Sequence, residues 1–416
     1  MDLGKTVQIC MVLLIFSAAP VFGQGFQAER VWTFASPDSS YEAFSMFLDS
    51  VDSALYISVY ELDSPLLARG IEGLLREGKN VTILVEDMPA GGFPREEADL
   101  LSALESAGAR VYLSGGDLRF YHAKYAVSDN DTVLIGTENL GGNGYPPTGT
   151  SGNRGWGVII GDAGLAEYFA SLFYRDLRGA EPFVAPGTTA KEHGEPRPYT
   201  PVFGVREYRG SFAVRPVVAP DDAVESIVSL LQSANSSVYV EQFYIYKYWG
   251  GRAAGSVEET PNPFLEAAID AARRGVKVRI LLDDTWYNTE EDDPVSNYNT
   301  AIYVNEVARR EGLDLEARLI DSEALGIEKL HAKGVVVDGK AALVSSVNWN
   351  ENSPVNNREV GVIIVGEPAG YYADVFEHDW KAAEPDGRSP YPALVVILGG
   401  AAAIYLWRKR RGVEAG

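Results

Sequence analysis

The tripeptide His-Ala-Lys occurs twice in this chain, at His122–Lys124 and His331–Lys333, 209 positions apart. Each copy opens the same longer pattern. The first reads H-A-K-Y-A-V-S-D from His122 to Asp129 and is followed by Gly136, Thr137 and Asn139. The second reads H-A-K-G-V-V-V-D from His331 to Asp338 and is followed by Ser345, Ser346 and Asn348. His to Lys is two residues, His to Asp seven and His to Asn seventeen in both copies. The whole chain holds only four histidines, so two of them in matched patterns are not an accident of composition. A duplication of this kind predicts two similar halves and one site assembled from both.

The repeat extends past the motifs. A helix over 38–51 and the strand Leu55–Tyr60 are matched by a helix over 221–233 and the strand Val238–Phe243. Helix 65–77 with strand 81–86 is matched by helix 264–274 with strand 276–282. Each half then shows a helix (96–107; 299–311) and a short strand (110–113; 315–318) before its histidine strand. Strands alternating with helices predict an α/β fold: two pseudo-twofold related lobes, each a mixed β-sheet flanked by helices, sharing one active site. The lobes are expected over 24–182 and 206–385, joined by the Pro- and Gly-rich linker 183–205.

The chemistry explains why these residue types recur. Positions i and i+2 of a strand share a face, so His122 aims with Lys124 and His331 with Lys333. Lysine beside imidazole neutralises phosphodiester oxygens, and the amides of Asn139 and Asn348 add donors to the same oxygens. Two histidines on opposite sides of phosphorus divide the work. One attacks to form a phospho-histidine, and the other protonates the leaving oxygen, then activates water or an alcohol.

The two motifs resemble those of the phospholipase D superfamily, H-x-K-x(4)-D followed by G-[GST]-x-N. The first copy fits with Gly136-Thr137-Glu138-Asn139; the second has Ser345 in place of the Gly. The resemblance covers nearly all of the chain between its terminal segments. It implies two phospholipase D-like lobes, a phosphodiesterase or phosphatidyltransferase, and chemistry without a metal or other cofactor. It also implies that Thr137 and Ser346 contact substrate alongside the asparagines. Asp129 and Asp338 are expected to be structural, as partners of nearby basic groups.

One further residue separates the halves. Glu359, in Asn357-Arg358-Glu359-Val360-Gly361-Val362, stands where the family places a carboxylate on the histidine's other nitrogen, and is expected to hold His331. The matching stretch Asn153-Arg154-Gly155-Trp156-Gly157-Val158 has Gly155 at that place. Glu138 and Asp162 are the candidate orienters for the first half. By resemblance His122 is the nucleophile and His331 the acid and then base; the sequence itself does not decide between them.

The termini bear on location. Lys5 precedes an apolar stretch from Val7 to Phe22, which reads as a signal peptide over 1–23. The chain's single cysteine, Cys10, lies inside it, so a mature protein would carry no disulfide. The uncharged run 391–407, followed by Arg408-Lys409-Arg410-Arg411, reads as a transmembrane helix with a cytoplasmic basic tail over 408–416. The expectation is a cell-membrane protein with a single span and its catalytic lobes outside the cytoplasm. The net charge of −22 is poor for a non-specific binder of polyanions. The preferred substrate is therefore a phospholipid at the membrane surface, hydrolysed or transferred, with an extracytoplasmic membrane-tethered nuclease as the alternative.

Overall fold

The computed structural model describes residues 25–190, 196–250 and 254–383. The expected signal peptide, apolar run and basic tail lie outside the described residues. Among the described residues no helix is long and apolar enough to cross a membrane.

The strands of both halves are short apolar runs, such as Lys333–Val337 and Glu359–Val365, buried along nearly their whole length. Such runs suit a sheet covered on both faces by helices. Helix starts repeat between halves too. Pro65–Arg76 is capped by the Ser64 side chain on Leu67 N, and Pro263–Arg273 by the Asn262 side chain on Phe264 N and Leu265 N. In both, proline fills the first turn, where no amide donor is needed.

Fifteen strands make one mixed sheet among the described residues, and Phe93–Pro94 pairs separately with Thr188–Thr189. At its centre Phe26–Ser36 runs antiparallel to Arg206–Ala219, with Val31 opposite Tyr208 and Ala28 opposite Phe212. Outward through the first half come Gly155–Gly161, Thr132–Gly136, Lys124–Ser128, Ala54–Val59, Asn80–Val85 and Arg110–Leu113. Outward through the second come Glu359–Val365, Ala341–Ser345, Lys333–Val337, Ser237–Gln242, Lys277–Leu282 and Leu315–Leu319. The order of seven strands is the same from the centre in both directions, with Glu181–Pro182 added beyond Arg110–Leu113 on one side only, so the halves are related by an approximate twofold through the central pair. The two expected sheets are thus one, joined by strands that the helix and motif pattern does not mark.

The core follows the same plan. One cluster spans the halves under the paired helices Ala163–Leu177 and Pro368–Ala382, and two others each fill the opposite face of one half. Trp156 stacks on Tyr372 at 5.0 Å, and the Tyr372 hydroxyl donates to Gly157 O at 2.7 Å. The aromatic segment after strand Ser237–Gln242 is largely folded in: Ile245 and Tyr248 are buried. The reason is Asn262, whose Nδ2 donates to both Tyr246 O (2.7 Å) and Trp349 O (2.8 Å) and so clamps the segment.

Candidate active site

Each motif histidine lies two residues before its strand begins, and its backbone is held by the other half. His122 N donates to Arg358 O at 2.9 Å, and His331 N donates to Arg154 O at 2.8 Å. The arginines themselves are buried cross-braces. Arg154 donates to Asp38 and to Asp379 (Nε to Oδ2, 2.6 Å), and Arg358 Nε to Asp176 at 2.9 Å. Sequence reasoning missed both arginines, although the repeated Asn-Arg dipeptides at 153–154 and 357–358 mark them.

The orienting carboxylates correct the expectation. Glu359 does not hold His331; its Oε2 lies 2.8 Å from His122 Nδ1, in the other half. His331 Nδ1 instead meets Glu138 Oε1 at 3.0 Å. Asp162 caps the helix Ala163–Leu177 by accepting from Leu165 N. The glycine that seemed to leave a gap in the first half is what makes room for this. A Cβ on Gly155 would lie 2.5 Å from Glu138 Oε1 and 2.6 Å from its Cγ. Half one places its carboxylate on the motif turn and leaves the strand position empty; half two has Val347 on the turn and Glu359 on the strand. The repeated asparagines aim both acids: Asn153 Nδ2 donates to Glu138 Oε2 (2.9 Å) and Asn357 Nδ2 to Glu359 Oε1 (3.0 Å).

Burial and neighbouring charge set the electrostatics. Burial pushes Lys124 down to about 8 and Lys333 well below its ordinary range. Both reach back to their own histidine, Lys124 Nζ to His122 O at 2.7 Å and Lys333 Nζ to His331 O at 2.6 Å. Burial lowers His122, against the pull of Glu359. His331 falls further, through burial and then repulsion by Lys333, Lys329, Lys124 and His122. These last two belong to the opposite half, so the motifs converge on one site. The carboxylates move apart: burial raises Glu138, whereas His122 and Lys124 hold Glu359 low despite its burial.

The remaining motif residues divide. Asn139 Nδ2 donates to Glu61 Oε2 at 3.1 Å, and Asn348 N to Ser353 Oγ at 2.9 Å. The oxygens Oδ1 of both asparagines are buried without a partner. Thr137 and Ser346 do not fit the expected contact with substrate. Both are fully buried, with Thr137 Oγ1 accepting from Trp156 N and Ser346 Oγ from Val360 N. Asp129 and Asp338, expected to partner basic groups, meet backbone amides instead. Asp129 accepts from the amides of Asp52, Ser53 and Ala54, and Asp338 from those of Asn235, Ser236 and Ser237. The fold also adds an aromatic edge to each imidazole: Tyr60 against His122 and Phe243 against His331, both at 4.8 Å between ring centroids.

A cavity of about 260 Å³ opens on His331, lined among others by Glu61, Asp63, Asn139, Asn153 and Lys329. The loop 141–144 forms part of the wall. Among the described residues no group of three or more His, Cys, Asp or Glu could hold a metal ion.

Two segments, 46–177 and 227–380, match the family model described as cardiolipin synthase, PLD-like domain. The chain belongs to this family. It is thereby a member of the phospholipase D superfamily, with the PLD-like domain matched twice. The fold is similar to the crystal structure of phosphatidylserine synthase from Haemophilus influenzae Rd KW20. The TM-score is 0.60 over 92% of this chain and 95% of that one, at 14% identity, so this likeness speaks to fold alone. An uncharacterized protein of Helicobacter pylori J99 is 26% identical over 170 residues, 38% of this chain and 32% of the relative. The DISARM protein DrmC of Bacillus paralicheniformis is 30% identical over 118 residues, 27% of this chain and 42% of the relative. The chain therefore matches less than half the length of either relative.

Proposed function

We propose that this PLD-like protein cleaves or transfers the phosphatidyl group of phospholipids through a phospho-histidine, with its two halves held outside the cytoplasm at a membrane surface. The observation that carries the reading is the crossed pair, His122 with Glu359 and His331 with Glu138, with Lys124 and Lys333 alongside. The opposite displacements of the two carboxylates divide the roles. Ionised Glu359 accepts the Nδ1–H of His122 and leaves its Nε2 lone pair free to attack phosphorus. Glu138, where it keeps its proton, donates to His331 Nδ1 and leaves Nε2–H to protonate the departing alcohol. The phospho-histidine then passes its phosphoryl group to water or to an acceptor alcohol, which His331 deprotonates.

The loops at the rim suit a lipid surface. Trp286 and Met88, 75% and 72% exposed, come from the loops that follow equivalent strands of the two halves. Trp286 packs on Tyr287, which adjoins Phe243, and Ala90 N donates to Tyr60 hydroxyl, so both loops lie beside the aromatic residues of the site. The test is to incubate the purified protein with mixed phospholipid vesicles and, separately, with single-stranded DNA, both in EDTA. Release of free headgroup or a transferred phosphatidyl product is expected. Nucleotide release without lipid turnover would replace this reading with a tethered nuclease, and loss of all activity in EDTA, restored by a divalent ion, would overturn the two-histidine mechanism.

A further inference from the structure

The two halves match in the motif histidines, lysines and asparagines, and one of the differences around them is directional. After Tyr60 the first half continues Glu61-Leu62-Asp63; after Phe243, the matched position, the second continues Tyr244-Ile245-Tyr246. The equivalence is fixed by structure, because Leu62 N donates to a side chain of helix Arg95–Ser106 and Ile245 N to one of helix Asn297–Glu311 in the same way. Glu61 and Asp63 line the cavity on His331. Tyr244 and Tyr246 pack on each other at 5.3 Å, Asn350 Nδ2 donates to the Tyr244 hydroxyl, and the charges bearing on Tyr244 are those of Tyr246, Glu359 and Tyr60, on the His122 side. One side of the reaction centre is thus walled by carboxylates and the other by phenol rings.

The acidic side holds two amide oxygens that no donor meets. Asn139 turns its nitrogen to Glu61 and Asn153 turns its nitrogen to Glu138, which leaves both amide oxygens as acceptors. Asn153 is only 6% exposed, both residues line the cavity, and neither oxygen has a hydrogen-bond partner. A buried acceptor without a donor is costly, and native proteins rarely leave one. Two orphan amide oxygens, in a cavity that Glu61 and Asp63 also line, are completed by a group rich in N–H. The volume, about 260 Å³, falls below the roughly 300 Å³ at which sites for drug-sized ligands begin. Lys329 lines the same cavity, and its charge acts on His331 and Glu138, the phosphate end.

We infer that this cavity is the subsite for the headgroup alcohol, that Glu61 and Asp63 select one bearing an ammonium group, and that the diacylglycerol lies on the tyrosine side. The inference rests on the phospholipid reading given above. It fixes the direction of the substrate: the headgroup oxygen leaves toward His331, which protonates it, while His122 attacks from the opposite side and keeps the phosphatidyl group. An ammonium supplies three donors and a charge complementary to both acids, whereas a nucleic-acid strand would bring its next phosphate toward them.

The experiment uses vesicles holding phosphatidylethanolamine and phosphatidylglycerol in equal amounts, so that both lipids share one surface charge. Free ethanolamine and free glycerol are measured in the same reaction for the full chain and for Asp63→Asn and Glu61→Gln. Because the readout is a ratio within one sample, a partly unfolded variant does not distort it. The wild-type chain is expected to release ethanolamine at least tenfold faster, and each substitution to lower that ratio by about tenfold, the scale of one charge-assisted hydrogen bond. A wild-type ratio near one or favouring glycerol, or a ratio unmoved by both substitutions, would overturn the headgroup assignment and leave the phospholipid reading intact. Release of neither headgroup would remove both.

Discussion

Single residues decide how this site differs between its halves. Glutamine can donate to a histidine nitrogen but cannot be ionised, so it tests the two carboxylates differently. In Glu359→Gln the amide donates to His122 Nδ1 and forces the tautomer that cannot attack. A loss of about 10³–10⁴ in kcat is expected, the scale of a wrong-tautomer substitution in a comparable dyad. In Glu138→Gln the tautomer of His331 survives and only the proton reservoir is lost, so a fall of about 10–100-fold is expected. The pH profile carries a sign as well. Glu138 acts in its protonated form, so wild-type activity should decline as pH rises through its elevated pKa, and that limb should flatten in Glu138→Gln. Equal losses in the two variants, with unchanged profiles, would refute the division of roles. Gly155 offers a second check. Gly155→Ala should displace Glu138, costing about 1–3 kcal/mol of stability in urea unfolding and lowering activity. The paired exchange Glu138→Val with Gly155→Glu copies the second half and should recover activity relative to Gly155→Glu alone.

At the scale of elements, most boundaries were legible because hydrophobic period and capping residues agree. The helix expected over 65–77 is Pro65–Arg76, and the strand expected over 110–113 is Arg110–Leu113. The motif strands end on aspartates whose role was only half legible. Asp129 and Asp338 take φ values of 50° and 55°, which Asp tolerates better than most side chains, and fold back onto the amides that open the neighbouring strand. Burial pushes these carboxyls upward, but the hydrogen bonds win and hold both at about 2. Their folded pKa lies below the unfolded value of roughly 3.9. Their contribution is therefore complete above that value and lost as pH falls from it toward about 2. Each is expected to be worth of order 1–2 kcal/mol after allowance for solvent. Asp338→Asn should lower Tm at pH 7 and erase part of the acid-induced drop between pH 4 and 2; an unchanged acid limb would contradict this account.

For the whole molecule, stability and activity are coupled through the contacts that cross between halves. Arg154 neutralises Asp38 and Asp379, and Arg358 neutralises Asp176 and Asp221, at the residues that also hold the motif histidines by their backbone. Removing one buried partner strands the others, so Arg154→Met should cost about 3–5 kcal/mol in urea unfolding. It should also reduce kcat more than a surface substitution of equal stability cost. The crossed carboxylates lead to a complementation test. Separately purified halves divided within 183–205 should each be inactive, because His122 then lacks Glu359 and His331 lacks Glu138. Mixing them should restore activity if the central strands re-pair, and activity in either half alone would contradict a shared site.

Spacing in the sequence was enough to determine that there are two motifs, which histidines, lysines and asparagines carry them, and that α/β halves repeat. Those features are local, since a two-residue offset or an alternation of strand and helix is fixed by backbone geometry alone. Which carboxylate serves which histidine was not local. Glu359 is 28 residues from His331 and 237 from His122, and sequence proximity pointed to the wrong one. Glu138 was one of two candidates for the first half, and only the space left empty at Gly155 shows why it reaches the partner half. The central strands Phe26–Ser36 and Arg206–Ala219 decide this exchange. By pairing antiparallel they set the halves about a twofold, and a twofold delivers each acid across the boundary rather than along the chain.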